Sequence, residues 1–213
     1  MAVVKKNRGF GDPPGKIKLA NALRCLLATK DFNSITTAEI AARAQTNEAL
    51  IYRYFGDKRG LLHQILAEYL KDMEEKTNSD SQNIKDPIKR LKQLIWDTLK
   101  YYNENKVFAK TIIVESRNFP GFFESETYQL VKNYARFYED IINKGVELGQ
   151  IRGDIPPSRI RDAIIGSIEH FVLPAVLFGK ELSADDCSEN IFQIVMNGIA
   201  EKEDKESVIG NEA

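Results

Sequence analysis

The sequence predicts an all-α protein, a small four-helix head joined to a larger helical body. Apolar residues recur at helical spacing through almost every segment. Strand-like alternation is scarce, and the breaks between periodic segments are marked by proline, glycine or short polar runs. The chain has 213 residues, 43% hydrophobic and 29% charged, enough for one large or two small domains with a real core.

The head reads as four helices in order. Leu19, Leu23, Leu26 and Leu27 share one face of a first helix from about Ile17 to Lys30, which "DFNSIT" ends. In "TTAE", Thr36 caps a second helix and Glu39, three residues on, reaches back to it as a capping box. Ile40, Ala41 and Ala44 are its apolar stripe, and it stops near Ala44. A tight "QTN" connection leads to a third helix, about Glu48 to Phe55, with Ile51 and Phe55 facing inward. Asp57 caps a fourth, carried by Leu61, Leu62, Ile65, Leu66, Tyr69 and Leu70 to about Glu75. "KTNSDSQNIKD" is polar and aperiodic, which puts the boundary between a head of residues 1–75 and a body of residues 84–203.

In the body, Pro87 opens a helix carried by Leu91, Leu94, Ile95, Trp96 and Leu99 to a break near Asn103–Lys106. A second covers Val107 to Glu115, and "RNFPGFF" interrupts it. A long helix over Ser125–Leu148, the turn "GQIRGDIPP" and helices over 157–178 and 184–200 follow. Residues 204–213 read as a frayed, charged tail.

Several function classes find no support. No run of 18 apolar residues exists to span a membrane, and "MAVVKKNRGFGDPPGK" has no apolar signal region, so the cytoplasm is the expected location. Cys25 and Cys187 stand far apart and form no CxxC pair. His63 and His170 belong to no HExxH or Cys/His cluster, so no metal site is expected. No GxGxxG, P-loop or GxSxG occurs, and neither a cofactor nor an enzymatic activity is expected; an all-α enzyme would need a nucleophile–base pair that the sequence does not offer.

The charge distribution is more informative. Net charge is −1, yet residues 1–60 hold 11 Lys and Arg against 5 Asp and Glu, while the rest hold 19 against 26. A basic head on an acidic body suits a protein that meets a polyanion at one end.

"TNEALIYRYFGDKRG" sharpens this. Tyr52 and Tyr54 bracket Arg53 at the end of one short helix, and Lys58 and Arg59 occupy the first turn of the next, where cations oppose the helix dipole. Two short helices joined by a tight turn form a helix-turn-helix, whose second helix lies in the DNA major groove. The end of that helix arrives at the phosphate wall, where hydroxyls and cations gain an anionic partner.

"SITTAEIAARAQTNEALIYRYFGDKRGLL" resembles the signature of TetR-family transcriptional regulators, closely over residues 16–70 and by helix order beyond. The resemblance implies an N-terminal helix-turn-helix DNA-binding domain and a larger helical ligand-binding and dimerisation domain. It implies phosphate contacts from Thr37, Tyr52, Tyr54 and Lys58, and base contacts from Thr46, Asn47, Glu48 and Leu50. A basic arm of Lys5, Lys6, Arg8 and Lys16 would reach the flanking DNA. The chain departs from the pattern at Gln45 and Ala49, where glycine is usual, and carries Tyr54 where histidine is also common.

The same resemblance implies a homodimer built on the last two helices. Ile160, Ile164, Ile168 and Phe171 form a stripe on one, with Gly166 and Ser167 allowing close approach; Ile191, Ile194, Val195 and Ile199 form another. It also implies a pocket among the body helices for a small hydrophobic or aromatic effector, with Trp96, Tyr102, Phe108, Phe123, Tyr134, Phe137 and His170 as candidate lining. The function implied is a homodimeric repressor released from a palindromic operator by that ligand. An activator, or a regulator answering to a protein partner, are the alternatives.

Overall fold

The computed structural model describes residues 12–81 and 83–199, and the regular structure of the described chain is helical apart from an isolated bridge at Ile151. In the head, α1 spans Pro14–Leu27, α2 Thr37–Ala44, α3 Ala49–Phe55 and α4 Lys58–Ser81. In the body, α5 spans Pro87–Glu104, α6 Lys106–Lys110, α7 Glu126–Glu147, α8 Pro157–Phe178 and α9 Ala184–Ile199.

Local signals set most of these boundaries. The Thr36 hydroxyl accepts from the Glu39 amide at 3.1 Å, and the Glu39 carboxylate accepts the Thr36 amide at 3.0 Å, which completes the expected capping box. Asp86 and Ser125 cap α5 and α7 through their side chains. The first helix begins a turn earlier than its apolar stripe, because Pro14 at its first position needs no amide partner.

Two expectations are corrected. Helix α4 does not stop at Glu75 but continues to Ser81, so the first half of the polar run is helix, and residues 83–86 form the turn that leads to α5. Beyond Glu75, Thr77 is buried and donates its hydroxyl to the Met73 carbonyl at 2.9 Å, a burial that propensity alone does not reveal. Second, the helix expected over Val107–Glu115 breaks after Lys110 into a π-helical turn, Thr111–Glu115, and then a 3-10 turn, Ser116–Asn118.

Helix α1 packs on α2, α3 and α4, while α5 runs through the body against α7, α8 and α9. The buried residues form one continuous core. Leu19, Leu23, Ile40, Ile51 and Leu61 lie in the head, Leu66, Leu70 and Met73 carry the core along α4, and Leu91, Ile95, Phe108 and Tyr138 fill the body. Head and body share this core across α4.

Candidate nucleic-acid interface and ligand cavity

Backbone chemistry fixes the corner between α3 and α4. The Asp57 carboxylate accepts the Gly60 amide at 2.7 Å and caps α4 as expected. A Cβ at Gly60 would lie 1.9 Å from the Phe55 carbonyl oxygen, so α4 can start this close to α3 only with glycine there.

At the other end of α3, Gln45 has φ 50° and ψ 52°, and it is the one positive-φ non-glycine among the described residues. An L-residue there costs about 1–2 kcal/mol. The conformation lets the Gln45 and Thr46 amides return to the Ala42 and Ala41 carbonyls, each at 3.1 Å, and closes α2. Asn47 then starts α3, its side-chain oxygen accepting the Ala49 amide at 2.8 Å.

These turns present Asn47, Ala49, Tyr52 and Arg53 on the outer face of α3, with Tyr52 54% exposed. Arg53 was not among the expected contacts, although its place four residues after Ala49 was signal enough. Tyr54 is half-buried, with Arg53 stacked 5.8 Å from its ring centre. Lys16 pairs with Asp12 at 3.0 Å, while Lys5, Lys6 and Arg8 lie outside the described residues.

Other expected DNA contacts are committed within the protein. The Thr37 hydroxyl donates to the Glu48 carboxylate and braces α2 against the start of α3. Thr46 is half-buried in the turn. Leu50 packs on the head core, and a Cβ on Gly15 would meet it at 3.2 Å, so Leu50 seats α3 on α1 and is not presented outward. The Lys58 ammonium donates to the carbonyls of Ile35 at 2.6 Å and Phe32 at 3.0 Å, and sits 4.4 Å from the Phe32 ring centre. Burial, with Arg59 beside it, holds its pKa below the ordinary lysine value. Lysine's long stem reaches these free carbonyls as readily as it reaches solvent.

The body contains a cavity of about 600 Å³ bounded by α4, α5, α7 and α8 and by the turns that follow α6. Its inner wall includes Leu70, Met73, Thr98, Phe122, Tyr134, Tyr138 and Ile168, all buried. Its outer wall includes Phe123, Lys132 and Arg136, which are exposed, so the cavity opens to the surface. Arg117 pairs with Glu169, and Arg161 with Glu139 and Asp162, along the same wall. The outcome is an apolar, tyrosine-lined interior with cations at its mouth. The aromatic pattern gave no sign of those cations, which lie scattered over three segments of the sequence.

Of the expected lining, Tyr102, Phe123 and Tyr134 take part. The other four candidates lie elsewhere, and each has a physical reason. Trp96 donates its indole N–H to Asp185 at 2.6 Å and pins α5 to α9. Phe108 is core, packed among the rings of Tyr69, Tyr101 and Tyr102. Phe137 is half-buried beside Tyr134, and His170 is exposed on the outer face of α8. Burial pushes the hydroxyl pKa of Tyr134 up to about 12, and raises those of Tyr102 and Tyr138 as well, so all three keep their protons.

The dimer stripes also need correction. Ile160, Ile164, Ile168 and Ile191 are at most 3% exposed within one chain and belong to its own core. Phe171 and Val195 are half-buried against that core. The free face of α8 lies one position over, at Ala163, Gly166, His170 and Leu177, with Ile194 69% exposed on α9. Helical period alone does not say which of two apolar faces a protomer uses for itself.

No helix among the described residues is long and apolar enough to cross a membrane. Residues 19–65 match the family described as bacterial regulatory proteins, tetR family, and residues 64–198 match the YsiA-like protein C-terminal region. The fatty acid metabolism regulator protein of Bacillus subtilis is 19% identical over 189 residues, 89% of this chain and 97% of that protein. The crystal structure of FadR from Bacillus subtilis in complex with stearoyl-CoA superposes with a TM-score of 0.77 at 18% identity, covering 86% of this chain and 98% of that one. The structure of AibR in complex with isovaleryl coenzyme A and operator DNA gives 0.68 at 18% identity, covering 84% and 97%. At such identities the solved structures establish the fold.

Proposed function

The chain belongs to the TetR family of bacterial regulatory proteins and is a DNA-binding transcriptional regulator; from that premise, we propose a cytoplasmic homodimeric repressor that leaves a palindromic operator when an acyl thioester of coenzyme A fills its cavity. Asn47, Ala49, Tyr52 and Arg53 would meet the DNA, the last two at the phosphate wall. Two such heads related by a two-fold axis would read half-sites about one DNA turn apart.

The cavity is the observation that carries the effector reading. Its apolar interior suits an acyl chain, and Lys132 and Arg136 at the mouth suit the phosphates of coenzyme A. A volume of about 600 Å³ falls within the range of small-molecule sites. The acyl-CoA complexes of the similar regulators support the same class. Release follows if the ligand binds the DNA-incompetent spacing of the heads more tightly than the competent one.

The test is selection of bound duplexes from random DNA, followed by titration of the selected complex with acyl-CoAs of increasing chain length. An enriched palindrome bound by two subunits and released by a thioester is the expected result. Binding that follows salt without sequence enrichment would remove the operator reading, and a complex indifferent to every acyl-CoA would remove the effector.

A further inference from the structure

We propose that Tyr102 determines the ligand's chemistry by donating its hydroxyl to the thioester carbonyl; the assignment rests on the acyl-CoA reading above and adds a specificity-determining residue to it. Four tyrosines line the cavity: the hydroxyls of Tyr134 and Tyr138 are already committed, and Tyr128 stands at the mouth, its ring against the exposed Phe123 and under Lys132. The Thr98 hydroxyl donates to the Leu94 carbonyl at 2.7 Å, and its oxygen meets the hydroxyls of Tyr134 at 2.8 Å and Tyr138 at 2.6 Å. Tyr102, one turn after Thr98 on α5, makes no hydrogen bond among the described residues. It lies deep between the helices yet keeps accessible surface, and the space it faces is the cavity. Phe108, itself fully buried, holds the Tyr102 ring from behind at 6.0 Å between centres.

A phenol in such a place is costly unless an acceptor reaches it. Burial, and then the Glu169 carboxylate, keep the Tyr102 proton in place, so the group offers a donor to whatever enters. Glu169 also decides which acceptor is suitable. Its charge is matched by Arg117, and the cavity's cations outside any ion pair, Lys132 and Arg136, lie at the exposed mouth and not beside Tyr102. A neutral carbonyl oxygen therefore suits the site and the carboxylate of a free fatty acid does not. A site built around a hydrogen bond rejects an analogue that lacks the partner atom, because its own polar group is then left unpaired.

The experiment compares hexadecanoyl-CoA with S-hexadecyl-CoA, the thioether that lacks only the carbonyl oxygen, by calorimetric binding to the wild-type protein and to Tyr102→Phe. The wild type is expected to bind the thioester about tenfold more tightly than the thioether, and Tyr102→Phe to bind both alike at the wild-type thioether affinity. Equal binding of the two ligands by the wild type overturns the assignment and leaves the acyl-CoA reading standing. A tenfold preference that survives in Tyr102→Phe, or a variant that loses both ligands in parallel, likewise overturns it. Binding of neither ligand by the wild type overturns the effector reading and this assignment together.

Discussion

The backbone N–H of Phe32, in the head, donates to Glu115 Oε2, in the body, at 3.0 Å. Around that bond the Phe32 carbonyl accepts from Lys58 at 3.0 Å, its ring lies 5.2 Å from Phe119, and Lys110 bridges Glu115 to Asp31. Glu115 closes the π-helical turn, three residues after Ile112 and two before Arg117, both of which line the cavity. Cavity wall and DNA-facing head thus share one short hydrogen-bonded segment.

Replacing Glu115 with alanine leaves the partly buried Phe32 amide without an acceptor and is expected to cost about 1–3 kcal/mol. Glu115→Gln, which keeps an acceptor oxygen, should cost less. Urea denaturation reads the effect as a lower midpoint at an unchanged slope. An alanine variant as stable as the wild type would mean the bond contributes nothing.

Lys58→Met tests where that ammonium acts. Removing two carbonyl partners should lower stability by about 1.5–3 kcal/mol, as for hydrogen bonds to a charged group. Operator affinity plotted against salt should keep its slope. A slope smaller by about one would instead place Lys58 on a phosphate.

Gln45→Gly relieves the left-handed strain but loosens the unfolded chain, and the two effects leave a net gain of up to about 1 kcal/mol. For a chain of this size that is a rise of about 2–4 °C in unfolding temperature, readable by circular dichroism. A lower temperature would show that the Gln45 side chain supplies more than the strain removes.

His63 is one group through which mild acid should weaken the protein. Its Nδ1 meets the Thr127 hydroxyl at 2.8 Å between α4 and α7. Burial chiefly lowers its pKa from the ordinary 6.5, Asp57 opposing and Arg59 assisting. The unfolded chain therefore binds the proton first, and the stability present above pH 6.5 is lost as the pH falls through the folded value. His63→Gln should flatten that part of a stability–pH profile; an unchanged slope would assign the acid sensitivity to other groups.

Ile194→Glu and Ile168→Ala separate the two faces of the last helices. The first places a charge on an exposed apolar position and should shift sedimentation from dimer to monomer with little loss of stability. The second empties part of the core and should cost about 2–5 kcal/mol without changing association. A dimer unaffected by Ile194→Glu would put the interface elsewhere.

Local chemistry makes much of this fold legible in the sequence. Thr36 and Glu39, Asp57, Pro87 and the Pro157 start each mark a boundary found within a residue or two, because caps and prolines act on their own neighbours. What depends on a distant partner was not readable. The continuation of α4 to Ser81, the inward turn of Lys58 and the separation of Tyr102 from Phe108 each depend on which helix lies opposite. Ile164 and Ile168 carry the lesson most plainly, since the helical period found their stripe and could not say whether it faces the protomer's own core or a second copy.

In the proposed dimer, helix α4 would act as a lever with its load at one end and its handle at the other. It starts at Lys58 beside the DNA-facing corner and reaches the cavity at Leu70 and Met73, and a helix of that reach is about 22 Å long. A tilt of about 5° at the cavity end would carry the corner through about 2 Å. In the proposed dimer two such levers moving oppositely would change the span between heads by about 4 Å, slightly more than one base-pair step of about 3.4 Å. On the proposed function, an effector would need only to tilt the cavity end of α4 to put both reading heads out of step with their half-sites.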